Sequence, residues 1–135
     1  VEHKTSPQEI SDLLAVGARD LRECRAEGLS PDWRLAIAYN SALQSATASL
    51  AAAGYRAPRD GHHYRIIQSL AQTIGATPDL IARLDAFRKK HNISDYERSG
   101  CVSAQEAREM FVWARSLKKA VKHWIEASHP TLLRK

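Results

Sequence analysis

Arg88, His91, Asn92 and Asp95 stand where the spacing of a helix calls for leucines. Ile81, Leu84 and Phe87 begin the same stripe, and at about 3.6 residues per turn the later polar positions fall on the side those apolar residues define. The face therefore turns ionic without turning outward. A guanidinium, an imidazole and a carboxylate so placed need partners, water or a ligand, because burying them unpaired costs several kcal/mol. Their types suit phosphodiester chemistry. His91 can give or take a proton near neutral pH, Arg88 can clamp a phosphate and stabilise a phosphorane, and Asp95, one turn beyond His91, can orient the imidazole. The same three residues also suit a purely structural arrangement, an Arg88–Asp95 ion pair across a symmetric dimer seam with His91 hydrogen-bonded beside it.

His62 and His63 open another helix, where backbone N–H groups favour an anion, although histidines at such positions also serve as packing or capping groups. Together with His91 and Asp95 they have the chemistry of zinc ligands. Adjacent histidines diverge by about 100° on a helix, however, and no ligand spacing appears, so no metal or other cofactor is expected. Arg115, Lys118, Lys119 and Lys122 share one face, opposite Trp113, Leu117, Val121 and Trp124. This ridge is either a solvated helix face or a contact for phosphates, and no aromatic residue interleaves with it as a stacking platform would. Trp113 and Trp124 read as core or dimer anchors.

The elements that carry these residues are clearly punctuated. Ser6-Pro7-Gln8-Glu9 has the form of a capping box with Pro at the first helical position, and Ile10, Leu13, Leu14, Gly17, Leu21 and Cys24 then form a stripe that Gly28 ends. Ser30-Pro31 opens a long second helix with Leu35, Ala38, Tyr39, Ala42, Ala46, Leu50 and Ala53 inward, up to Gly54, and its small residues admit a close neighbour. A loop with Pro58 and Gly61 leads to a shorter helix from about His62 to Ile74, with Ile67, Leu70, Ala71 and Ile74 inward. Thr77-Pro78 starts the fourth helix, which runs to about Tyr96. Ser103-Ala104-Gln105-Glu106 is a second capping box, opening a fifth helix that ends near Ser128 with Met110, Trp113, Ala114, Leu117, Val121, Trp124 and Ile125 on one face. No segment alternates as a strand, so the pattern predicts an all-α fold. Short connections make it an antiparallel up-and-down bundle of four main helices plus one short helix.

At 135 residues the chain, 1–135, fits a single domain with its core at about 6–127. Its net charge of +5 leans toward phosphates or an acidic partner. Cys24 and Cys101 form no close-spaced pair and read as reduced thiols, which places the chain in the cytoplasm. No apolar run approaches the roughly 20 residues that span a bilayer, and Val1 to Thr5 lack the order of a secretory signal.

The order of long, long, short and long helices, with Gly61-His62-His63 opening the short one and Phe87 to Glu97 closing the next, resembles the HEPN superfamily over about residues 6–127. That resemblance implies a helical bundle, usually dimeric, found among RNases, toxins of toxin–antitoxin pairs and accessory subunits beside a nucleotidyltransferase. Its active members set an Arg and, a few residues on, a His on one helix, and two such pairs meet across the dimer to cut RNA without metal. Arg88 matches the Arg, and Asp95-Tyr96 falls where many members carry His or Asp before Tyr. The positions for the His hold Ile93, Ser94 and Asp95 instead, while His91 comes earlier. The resemblance thus implies a homodimeric, partner-binding module of an RNA- or nucleotide-related system, without catalysis of its own. Its partner would be a nucleotidyltransferase-type antitoxin or RNA, and Asn92, Tyr96, His62 and His63 would assist binding. The alternative it implies is a metal-independent endoribonuclease or toxin using Arg88, His91 and Asp95.

Overall fold

A computed structural model describes residues 1–96 and 102–133, with the backbone alone for 90–96. Five α-helices follow one another: α1 (Pro7–Glu23), α2 (Pro31–Ala52), α3 (His62–Ser69), α4 (Pro78–Tyr96) and α5 (Ala104–Ser128), with a 3-10 turn at Pro130–Leu133. Among the described residues there is no strand beyond an isolated bridge of Glu2 to Tyr55, so the fold is all-α as the pattern predicts.

The caps explain the helix starts. Ser30 Oγ accepts from the Trp33 N–H ahead of Pro31, and Thr77 Oγ1 accepts from the Leu80 N–H ahead of Pro78. At α5 the box is complete, because Ser103 Oγ accepts from the Glu106 N–H at 3.0 Å and Glu106 Oε1 accepts from the Ser103 N–H at 3.1 Å. At α1 only half of the expected box forms. Ser6 Oγ accepts from the Glu9 N–H, but the Glu9 carboxylate turns to Thr5 Oγ1 at 2.6 Å and His3 Nε2 at 2.9 Å. These bonds, Thr5's first, hold the Glu9 carboxyl below its usual range.

The hub of the molecule is α2. It packs against all four other helices, most extensively against α5 and α1. Leu35, Ala38, Tyr39, Ala42 and Ala46 are buried as expected, and so are Ser41, Ser45 and Ser49, which stack one turn apart. Met110, Ala114, Leu117, Val121 and Ile125 of α5 are likewise buried, whereas Trp113 and Trp124 lie half-buried at the edge of the core. Small side chains let α1 come close to α2, and Ser41 Oγ donates to the Gly17 carbonyl at 2.7 Å.

The short helix ends earlier than its sequence suggests. After Ser69 the chain tightens into turns in which Leu70, Ala71 and Gln72 donate to carbonyls three residues back. Ser69 Oγ takes up the Ile66 carbonyl and Thr73 Oγ1 reaches across to Ser49 of α2, so the chain is drawn off the helical path. Ile66, Ile67 and Leu70 are buried, Ile74 is partly so, and Ala71, expected inward, faces solvent.

Candidate functional site

Pro78 at the first helical position and Asp79 in the first turn set α4 going, and Ile81, Leu84 and Phe87 anchor it to the core. This anchoring leaves Asp85 and Arg88 at the boundary, both mostly covered. Arg88 Nε donates to Asp85 Oδ1 at 2.7 Å across one helical turn, and Lys89 Nζ lies 3.6 Å from Asp85 Oδ2. The hydrogen bond from Arg88 is the main reason that the Asp85 carboxyl sits below its ordinary range, and it outweighs the opposing effect of burial.

The helix α3 supplies the other wall. The Arg88 guanidinium carbon lies 5.5 Å from the centre of the Tyr64 ring, which is 46% exposed. Cation–π attraction and the Asp85 bond thus act on one guanidinium from two sides. Beneath them Tyr39 of α2 is buried, and burial pushes its phenol above the usual range, with Arg88 pulling against that shift. The Tyr39 ring is 6.2 Å from the His63 ring. Gly61, at a positive φ of 62°, turns the chain sharply into α3 and so brings His63 and Tyr64 to this corner.

Of the residues singled out in the sequence, the structure brings Arg88 and His63 to the same corner of α2, α3 and α4. His62 turns away from it, with Nδ1 3.2 Å from the Pro58 carbonyl, beside a crevice that it shares with His3 and Glu9. The side chains of His91, Asn92, Asp95 and Tyr96 lie outside the described residues, and so does any Arg88–Asp95 pairing. Arg88 is paired within its own helix with Asp85, three residues earlier, a spacing that brings two side chains together on a helix. The sequence pattern places Tyr39 in the core and gives Tyr64 no role. Their meeting with Arg88 depends on how α3 crosses α4, which no local spacing encodes.

The basic ridge divides. Arg115, Lys119 and Lys122 are exposed, whereas Lys118 is half-buried and, with Lys122, edges a crevice against Pro7, Leu14 and Leu132. Among the described residues no group of three His, Cys, Asp or Glu could hold a metal ion, and no helix is long and apolar enough to cross a membrane. No protein-family model matches this chain, and no curated protein matches it.

Proposed function

We propose that this chain is a HEPN-like, homodimeric partner-binding module of an RNA- or nucleotide-related system, with no catalysis of its own. In this reading the helices form an antiparallel up-and-down bundle, and the corner of α3 and α4 is its docking face. The observation that carries it is the pairing of Arg88 with Asp85. A guanidinium already neutralised by a carboxylate on its own helix and resting on a tyrosine ring is a poor clamp for a phosphorane, which needs uncompensated charge at the reacting centre. A half-exposed Tyr beside a mostly covered Arg is instead a pairing of the residue types that anchor protein interfaces. A second copy of the chain and a nucleotidyltransferase-type antitoxin are the partners this reading supplies.

The test combines sedimentation with an RNA cleavage assay in chelator. Wild type is expected to run as a dimer and to leave RNA intact, and Tyr64→Asp is expected to shift it to monomer while it stays helical by circular dichroism. Cleavage of RNA by wild type that Arg88→Ala or His91→Ala abolishes would instead establish the metal-independent endoribonuclease reading, with Arg88, His91 and Asp95 as its residues.

A further inference from the structure

A groove between the end of α1, the start of α2 and the first half of α5 is lined by three arginine side chains. Arg25, Arg34 and Arg108 line a space of about 340 Å³, floored by Ala107, Phe111 and the buried Cys24, and no carboxylate lines it. None of the three arginines takes part in an ion pair among the described residues. Three like charges, from the turn after α1, from α2 and from α5, line one groove with no carboxylate in its lining.

Two of these cations are held in place. Arg34 Nε donates to the Leu29 carbonyl at 3.2 Å and its Nη2 to the Ala26 carbonyl at 3.4 Å, which fixes the guanidinium while leaving further N–H groups unused. The Arg25 guanidinium carbon lies 5.3 Å from the centre of the Phe111 ring, and that of Arg115, just outside the groove, lies 5.4 Å from the same ring. Cation–π contact restrains side chains that would otherwise lose rotamer freedom on meeting a ligand. Positive charge is thereby gathered and oriented before any ligand arrives.

What would satisfy such a groove is an anion with several acceptor oxygens pointing in different directions. A phosphoryl group offers these, and guanidinium forks match it bidentately. The space is that of a small-molecule site, larger than a lone ion requires, and its floor is apolar. We propose that this groove binds a phosphoryl-bearing organic anion of nucleotide size. Arg25, Arg34 and Arg108 take the phosphoryl oxygens, and Ala107 and Phe111 meet the organic part. The site shares no residue with the α3–α4 corner and stands independently of the function assigned there.

The experiment is calorimetric titration of the full chain with inorganic pyrophosphate, a nucleoside diphosphate, its unphosphorylated nucleoside, a single-stranded oligonucleotide and an aspartate-rich peptide. The diphosphate is expected to bind and the nucleoside not to. Arg25→Ala with Arg108→Ala should weaken binding by about tenfold or more, since two charge-assisted contacts are lost. Lys119→Ala with Lys122→Ala removes the same charge about 20 Å further along α5 at 1.5 Å per residue, and is expected to leave affinity unchanged. Arginine-dependent binding of the oligonucleotide in place of the diphosphate would assign the phosphoryl group to a polynucleotide. Silence toward every phosphorylated probe from folded protein, equal binding of the peptide, or an equal loss in the lysine variant would each overturn the proposal. None of these readouts depends on self-association or RNA cleavage.

Discussion

Asp85 holds two cations within one turn of α4, Arg88 at 2.7 Å and Lys89 at 3.6 Å. Because its folded carboxyl titrates below the unfolded value, its contribution to stability is present above about pH 4 and is lost as pH falls through the lowered folded value. Asp85→Asn is therefore expected to be less stable than wild type by about 1–2 kcal/mol at neutral pH, between the values for exposed and buried pairs. The gap should narrow steadily as pH drops below about 4, and thermal melts of the two proteins across that range check it. A gap that stays constant with pH would mean that the pair contributes nothing through charge. At this scale the sequence announced the anomaly and half of its resolution. Arg88 on an apolar stripe needs a partner, and Asp85 stands three residues earlier in plain view. Tyr64 was invisible, because an aromatic ring becomes a guanidinium's neighbour here only through the crossing of two helices.

Along α2, the three buried serines show how an element can be polar in sequence and central in space. Ser41 Oγ is satisfied by the Gly17 carbonyl and Ser49 Oγ by the Ala46 carbonyl, whereas Ser45 Oγ finds no partner among the described residues. Two alanine substitutions one turn apart should therefore differ in sign. Ser45→Ala is expected to stabilise the fold by about 1 kcal/mol by removing an unsatisfied buried hydroxyl, and Ser41→Ala to destabilise it by a similar amount, as read by urea unfolding. Gly17 adds a third arm. A Cβ there would lie 3.4 Å from the Ser41 carbonyl oxygen, ordinary contact, so Gly17→Ala is tolerated, while Gly17→Leu forces α1 off α2 at a cost of about 1–3 kcal/mol. The helix starts were legible because Ser-Pro, Thr-Pro and Ser-x-x-Glu are local chemistry. The end of α3 was not, because what shortens it includes a bond from Thr73 to Ser49 of another helix. Nor does a stripe read by hydropathy register serines, so the pattern shows the buried Leu35, Ala38 and Ala42 of α2 but not the equally buried Ser41, Ser45 and Ser49.

Taken whole, the molecule carries a net charge of +5 that is unevenly distributed, and three arginines line the α1–α2–α5 groove with no carboxylate beside them in its lining. Self-repulsion of this kind opposes the compact state, and it fades with added salt as the Debye length shrinks from about 10 Å at 0.1 M to about 3 Å at 1 M. Arg108→Gln keeps a polar, unbranched side chain, shorter by two bonds, and removes one of the three charges. Without any anionic ligand it should therefore be more stable than wild type, by about half a kcal/mol at low ionic strength, the size of a like-charge pair on a helix surface. The advantage should disappear at high salt. Asp85→Asn behaves differently, since most of its loss comes from a covered pair that salt screens weakly. Melting the three proteins in a low- and a high-salt chloride buffer separates the two kinds of charge. Convergence of Arg108→Gln with wild type at high salt supports charge crowding in the groove, and an advantage that persists there would place its origin in packing.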